Sequence, residues 1–183
     1  MIPCIDLQRS GQYGEGIALP VVQKRADAGK AIGSQQKIKT RDRKGEKMNI
    51  EQKVLLWREK VREPELASEL EKLLSDKQVL NDRFYKDLEF GTGGLRGVIG
   101  VGTNCLNIYT IARATQGLAA YMQAHGMKKA AISYDSRIHS DLFAQTAACV
   151  LADADIEVVI VKELMPTPFL SFLTREENAI WAS

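Results

Sequence analysis

The chain has 183 residues, with 25 Lys plus Arg against 23 Asp plus Glu, and the resulting net charge of +2 is too small to imply a nucleic-acid partner. A hydrophobic content of 45% is ordinary for a globular core, and no run approaches the roughly 18 apolar residues that a membrane span needs. The three cysteines, Cys4, Cys105 and Cys149, are an odd number without Cys-x-x-Cys spacing, which argues against a disulfide framework and a zinc site.

Residues 1–47 carry scattered glycines, no sustained apolar period and a basic run from Lys37 to Lys47. A secretory signal is not present, because the apolar stretch at 17–22 is short and broken by Pro20. The expected state is a solvated, disordered extension, with Met48 as the native start. A basic tail binding nucleic acid or an acidic surface is the alternative. From 50 to 61 the spacing of Val54, Leu55 and Val61, with Trp57 nearby, predicts a helix ended by Pro64. A second helix from Glu65 places Leu66, Leu70, Leu73 and Leu74 on one face, and a third follows a cap at Ser75 or Asp76. These make 48–88 a helical lead-in to a domain at 89–183.

That domain opens on Phe90-Gly91-Thr92-Gly93-Gly94-Leu95-Arg96-Gly97. Glycines let a backbone approach an anion closely, and Arg96 offers a fork of donors that phosphate accepts bidentately. Turns and close strand crossings use the same residues, so spacing alone leaves both readings open. The segment is neither a P-loop, which needs Gly-Lys-Ser/Thr opening a helix, nor a dinucleotide fingerprint.

From Asn107 a long helix is predicted, with Ile108, Ile111, Leu118 and Tyr121 as its apolar stripe and Gly126 as its end. A short strand covers 130–134. Asp135-Ser136-Arg137 then falls where ligand sites lie in open α/β sheets. The favoured role there is structural: Asp135 accepts turn N–H groups and Arg137 pairs with it. His125 and His139 have no partner at ligand spacing and read as solvated or capping. Ser140 caps a helix bearing Leu142, Phe143, Thr146, Ala147, Val150 and Leu151, with Cys149 among its packing residues, and 156–161 is an apolar strand. Pro166-Thr167-Pro168 stops that strand and starts another helix. Helix and strand in alternation predict α/β.

The loop at 90–97, followed by 107–118, by Ile132-Ser-Tyr-Asp-Ser-Arg137 and by Pro166-Thr-Pro168, resembles the first domain of the α-D-phosphohexomutases from about Met48 to Phe172. The double glycine and helical lead-in are similar to the bacterial phosphoglucomutase and phosphopentomutase branch. The resemblance implies a three-layer helix/sheet/helix domain, and a cytoplasmic isomerase of carbohydrate metabolism that interconverts sugar 1- and 6-phosphates, or pentose 1- and 5-phosphates. Such enzymes work through a phosphoserine and a bisphosphate intermediate, with Mg2+ and a sugar bisphosphate activator. Carried over, Arg96 and Thr92 are catalytic, and Gly93, Gly94 and Arg96 bind phosphate. Ser183, in Ala182-Ser183, imitates two letters of the family's phosphoserine loop. It arrives early, with no apolar strand before it and no His-Asn-Pro behind, and is read as accidental. The expectation is a truncated, inactive domain that a further C-terminal segment could complete. The rivals are a non-catalytic sugar-phosphate-binding module and a nucleotide-binding α/β enzyme, the latter disfavoured by its missing fingerprints.

Overall fold

A computed structural model describes residues 10–13, 17–22, 48–91, 94–161 and 167–182. The chain divides into two compact units, Gln36–Ile111 and the pair of segments Met1–Gln35 and Ala112–Ser183.

Within the first unit, helix α1 spans Ile50–Lys60, α2 Pro64–Leu73 and α3 Lys77–Phe84. Asn49 and Gln52 form a reciprocal capping box at the start of α1. Pro64 opens α2 instead of merely closing α1, because a first helical residue has no need of an N–H. Asp76 caps α3, accepting the N–H groups of Gln78 and Val79 at 3.1 Å each. The three helices enclose Val54, Trp57, Val61, Leu70, Phe84 and Val101. Trp57 meets Phe84 and Tyr109 edge-on at ring-centroid distances of 5.6 and 5.5 Å. Leu55, assigned to the apolar stripe of α1, faces outward at 64% exposure, and Lys53 takes a buried place instead, its ammonium donating to the Phe84 carbonyl at 2.7 Å.

In the second unit, strands β5 (Lys129–Ile132), β6 (Glu157–Ile160) and β7 (Ile180–Ala182) run parallel in the order β6-β5-β7. Two shorter strands, β1 (Ser10–Tyr13) and β2 (Ile17–Val22), pair as a hairpin, and β2 meets β6 antiparallel through Val21↔Val159 and Val22↔Val158. They are the described portion of the expected extension at 1–47; Cys4 and the basic run at 37–47 lie outside the described residues. The register places Ala130, Ile132, Val158 and Ile160 against one helical layer and Ala131, Val159 and Val161 against another, as alternation along a strand requires. Helix α4 (Ile108–Ala124) supplies Ala119 and Met122 to the first layer, and α5 (Ser140–Asp153) supplies Ala144, Ala148 and Leu151. Helix α6 (Thr167–Glu176) covers the opposite face with Leu170 and Leu173. The result is the three-layer α/β/α arrangement.

Three expectations need correction. Tyr121 is not part of the buried stripe of α4: it is 54% exposed and lies against the His125 ring at 4.1 Å, while Thr115, Ala119 and Met122 point inward. Ser140 is the first residue of α5 and not its cap. His139 holds the cap position in the left-handed region (φ 62), which frees the Ser140 hydroxyl for Asp135. A strand does precede Ser183, since β7 pairs with β5 through Ala130↔Ile180, Ala131↔Trp181 and Ile132↔Ala182. Lys129 ties this region together, pairing with Glu177 after α6 and with Glu157 at 3.3 Å.

Candidate functional site

The glycine-rich segment forms two minimal strands, β3 (Phe90–Gly91) and β4 (Gly94–Leu95), paired antiparallel with Phe90 opposite Leu95 and Gly91 opposite Gly94. Thr92 and Gly93 lie between them, outside the described residues, as does Ser183. Gly94 has φ +96, a region that L side chains rarely adopt, and a Cβ placed there would meet nothing within 4 Å. Its glycine character therefore answers to backbone conformation and leaves open space beside the chain. Phe90 is 70% exposed. Arg96 follows β4 directly and is exposed, and among the described residues no hydrogen bond or ion pair engages its guanidinium.

The hairpin's base is tightly held. On the entering side the Leu88 N–H donates to the Thr103 carbonyl at 2.7 Å, and the Thr103 hydroxyl donates to the Lys86 carbonyl at 2.6 Å. Leaving the hairpin, the Leu106 N–H donates to the Val98 carbonyl at 2.8 Å and the Gly100 N–H to the Leu106 carbonyl at 3.0 Å. Gly97 sits so close to Leu88 that a Cβ would stand 2.9 Å from its Cδ1. The supporting loop, 100–107, is fixed in turn by Glu69, which accepts the Val101 N–H at 2.7 Å and faces Arg83 at 3.6 Å. Arg83 also donates to Cys105 Sγ at 3.3 Å. Burial pushes the Cys105 thiol pKa up, so this sulfur is a packing group and not a poised nucleophile.

The second loop singled out from sequence, Asp135-Ser136-Arg137, follows β5. The Asp135 carboxylate accepts the Arg137 N–H at 3.1 Å, Arg137 Nε at 2.8 Å and the Ser140 hydroxyl at 3.1 Å. The backbone N–H of Arg137 is the largest influence holding the Asp135 pKa below its ordinary value, with Ser140 and the Arg137 guanidinium adding to it. The expected turn-building role is thus present in atomic detail. His139 lies by the Phe143 ring at 6.2 Å, and His125 Nδ1 is 2.8 Å from the Tyr121 carbonyl.

Among the described residues no group of three or more His, Cys, Asp or Glu side chains converges as a metal site would require. The described residues therefore do not fit a magnesium site. No helix among them is long and apolar enough to cross a membrane. Sequence reasoning missed Asn107 and Thr103 as organisers of the hairpin; an Asn directly before an apolar helical run was the available signal for the first.

A parallel sheet layered between helices, with a glycine hairpin ahead of it in the chain, defines a three-layer α/β domain. Residues 87–182 match the family model described as phosphoglucomutase/phosphomannomutase, alpha/beta/alpha domain I, and the chain belongs to that family. The phosphoglucomutase of Staphylococcus aureus (strain bovine RF122 / ET3-1) is 42% identical over 98 residues, which are 53% of this chain and 18% of the relative. The phosphoglucomutase of Staphylococcus saprophyticus is 35% identical over 122 residues, 66% of this chain and 22% of the relative. The chain thus spans about a fifth of the length of these curated relatives. No solved structure matches it.

Proposed function

We propose that this chain contributes the phosphate-engaging first domain of a phosphoglucomutase-like phosphohexomutase acting on sugar phosphates in the cytoplasm. The overall reaction is an isomerisation by phosphoryl transfer between a sugar 1-phosphate and 6-phosphate, or a pentose 1- and 5-phosphate, through a phosphoserine and a bisphosphate. The observation that carries the reading is the exposed Arg96 guanidinium, without a hydrogen bond or ion pair among the described residues, set immediately after a glycine hairpin. Phosphoryl transfer develops charge on three equatorial oxygens, so a preplaced bidentate cation is the protein's main contribution at this point.

Arg96 neutralises the oxygens of the bound phosphoryl group while Gly93 and Gly94 let the backbone approach it, with Thr92 lining the same loop. In the family, Mg2+ supplies Lewis-acid neutralisation of the transferring oxygens when bound. Asp135 builds its turn and takes no proton in the reaction. Ser183 is not assigned as the phosphoryl carrier. These 183 residues by themselves bind sugar phosphate without turning it over, as suits a chain spanning about a fifth of its relatives.

Titration calorimetry with glucose 1-phosphate tests this directly. Binding is expected for the natural chain and at least about tenfold weaker binding for Arg96→Ala, the loss of a charge-assisted contact. Equal affinity in the two proteins overturns the assignment, and magnesium-dependent turnover by the 183 residues refutes their inactivity.

A further inference from the structure

Asn107 is 2% exposed and belongs to two structures at once. Its side-chain oxygen accepts the N–H groups of Tyr109 at 3.1 Å and Thr110 at 3.0 Å, which caps α4. The Thr110 hydroxyl returns the contact, accepting the Asn107 N–H at 3.0 Å. On the other side of the same amide, Nδ2 donates into three carbonyls: Gly100 at 2.8 Å, Gly102 at 3.0 Å and Cys105 at 3.4 Å. An oxygen in place of that nitrogen would face three acceptors, so the amide has one orientation and no acid replaces it on the loop side.

The three carbonyls belong to the loop that holds the glycine hairpin. Leu106, between Cys105 and Asn107, donates to Val98 and accepts from Gly100, while Thr103 accepts from Leu88. Both ends of the hairpin are therefore hydrogen-bonded to the stretch that Asn107 gathers. We infer that Asn107 is a positioning residue for Arg96: its amide fixes the 100–106 loop, and that loop fixes where the guanidinium stands. This rests on the phosphate-binding reading of Arg96, which it deepens. A buried amide that satisfies both of its polar ends transmits position well, because each end left unpaired costs the desolvation of its partners.

Asn107→Asp separates the two duties. A carboxylate caps a helix as well as an amide does, but offers the loop no donor and opposes three carbonyl dipoles. The first readout needs no ligand: backbone 15N order parameters in the full 183-residue chain. Those at Arg96 and Gly97 are expected to fall below about 0.6 while those within α4 stay near about 0.85. The second is inorganic phosphate binding, expected to weaken about fivefold. Should Asn107→Asp fail to fold, Thr103→Val removes the hydroxyl bond to Lys86 at nearly constant shape and is expected to loosen Arg96 in the same way. Unchanged order at Arg96 in the folded variant, or phosphate binding within about twofold of the natural chain, overturns the inference. Phosphate binding unaffected by Arg96→Ala would instead sink the underlying site assignment, and the order parameters would still report on the clamp.

Discussion

Gly102 occupies the tightest point of the supporting loop, and Gly102→Ala should be the most damaging single-methyl substitution in the first unit. Its φ of +131 lies where an L side chain is strained, at a cost of about 1–3 kcal/mol. The new Cβ would stand 2.5 Å from the Arg83 carbonyl oxygen, 2.9 Å from its Cβ and 3.1 Å from its carbonyl carbon. These are mostly backbone atoms that cannot swing aside. Moving them endangers the 2.9 Å bond by which the Arg83 carbonyl holds the Asn104 N–H, worth about 1 kcal/mol. Reduced freedom of the unfolded chain returns only about 0.5 kcal/mol, so the net loss is about 1.5–3.5 kcal/mol. Gly94→Ala is the internal control: φ is again positive, but no atom lies within 4 Å of the added methyl, so only the backbone cost of about 1–2 kcal/mol applies. Urea unfolding followed by far-UV circular dichroism and fluorescence gives both values. A Gly102→Ala protein within about 1 kcal/mol of the natural chain, or less affected than Gly94→Ala, refutes the steric argument.

Trp57→Ala should cost about 3–5 kcal/mol, since the ring is 1% exposed between Phe84 and Tyr109, whereas Leu55→Ala, at 64% exposure, should stay within about 0.5 kcal/mol on the same helix. The Asp135 carboxyl should titrate by NMR below its ordinary 3.8, so its contribution to stability is complete above that pH and lost as pH falls through the lower native value. Arg137→Ala should keep part of that depression, because the backbone N–H of residue 137, its largest cause, remains; full restoration of the ordinary value contradicts the geometry. Tyr109 has its phenol pKa pushed well up, first by burial and then by its hydrogen bond to Glu63. Ultraviolet titration should show this tyrosine still protonated when the exposed ones have ionised, with its stabilisation present below about pH 10 and lost above it as pH climbs towards the native value.

Local chemistry made much of this architecture legible in advance. The apolar run 156–161 reads as a buried strand because both of its faces are covered, and Asp76 reads as a cap because its carboxylate reaches the next free N–H groups. The glycine segment with Arg96 reads from composition as either a close approach to an anion or a tight strand turn, and the positive φ of Gly94 between two paired strands accounts for the turn. Helix faces were less readable. Leu55 and Tyr121 fit an apolar period, yet the partner surface chose Trp57 and Met122, and an apolar residue can remain outside at little cost. Strand β7 is three residues long, too short for any periodicity to register. Ser140 looked like a cap until His139 took the left-handed position before it. The clamp by Asn107 was least visible of all, because its carbonyl partners at Gly100, Gly102 and Cys105 are set by how the loop closes and not by any side chain.

The central claim is that the glycine hairpin and Arg96 hold the phosphate of a sugar phosphate, and 1H–15N NMR of the 183-residue chain during addition of glucose 1-phosphate tests it most directly. The account predicts saturable shifts concentrated at the amides of Gly91 and 94–97 and at Arg96 Nε, matched by inorganic phosphate at higher concentration and abolished in Arg96→Ala. Saturable shifts that leave 90–97 untouched and survive Arg96→Ala would contradict it.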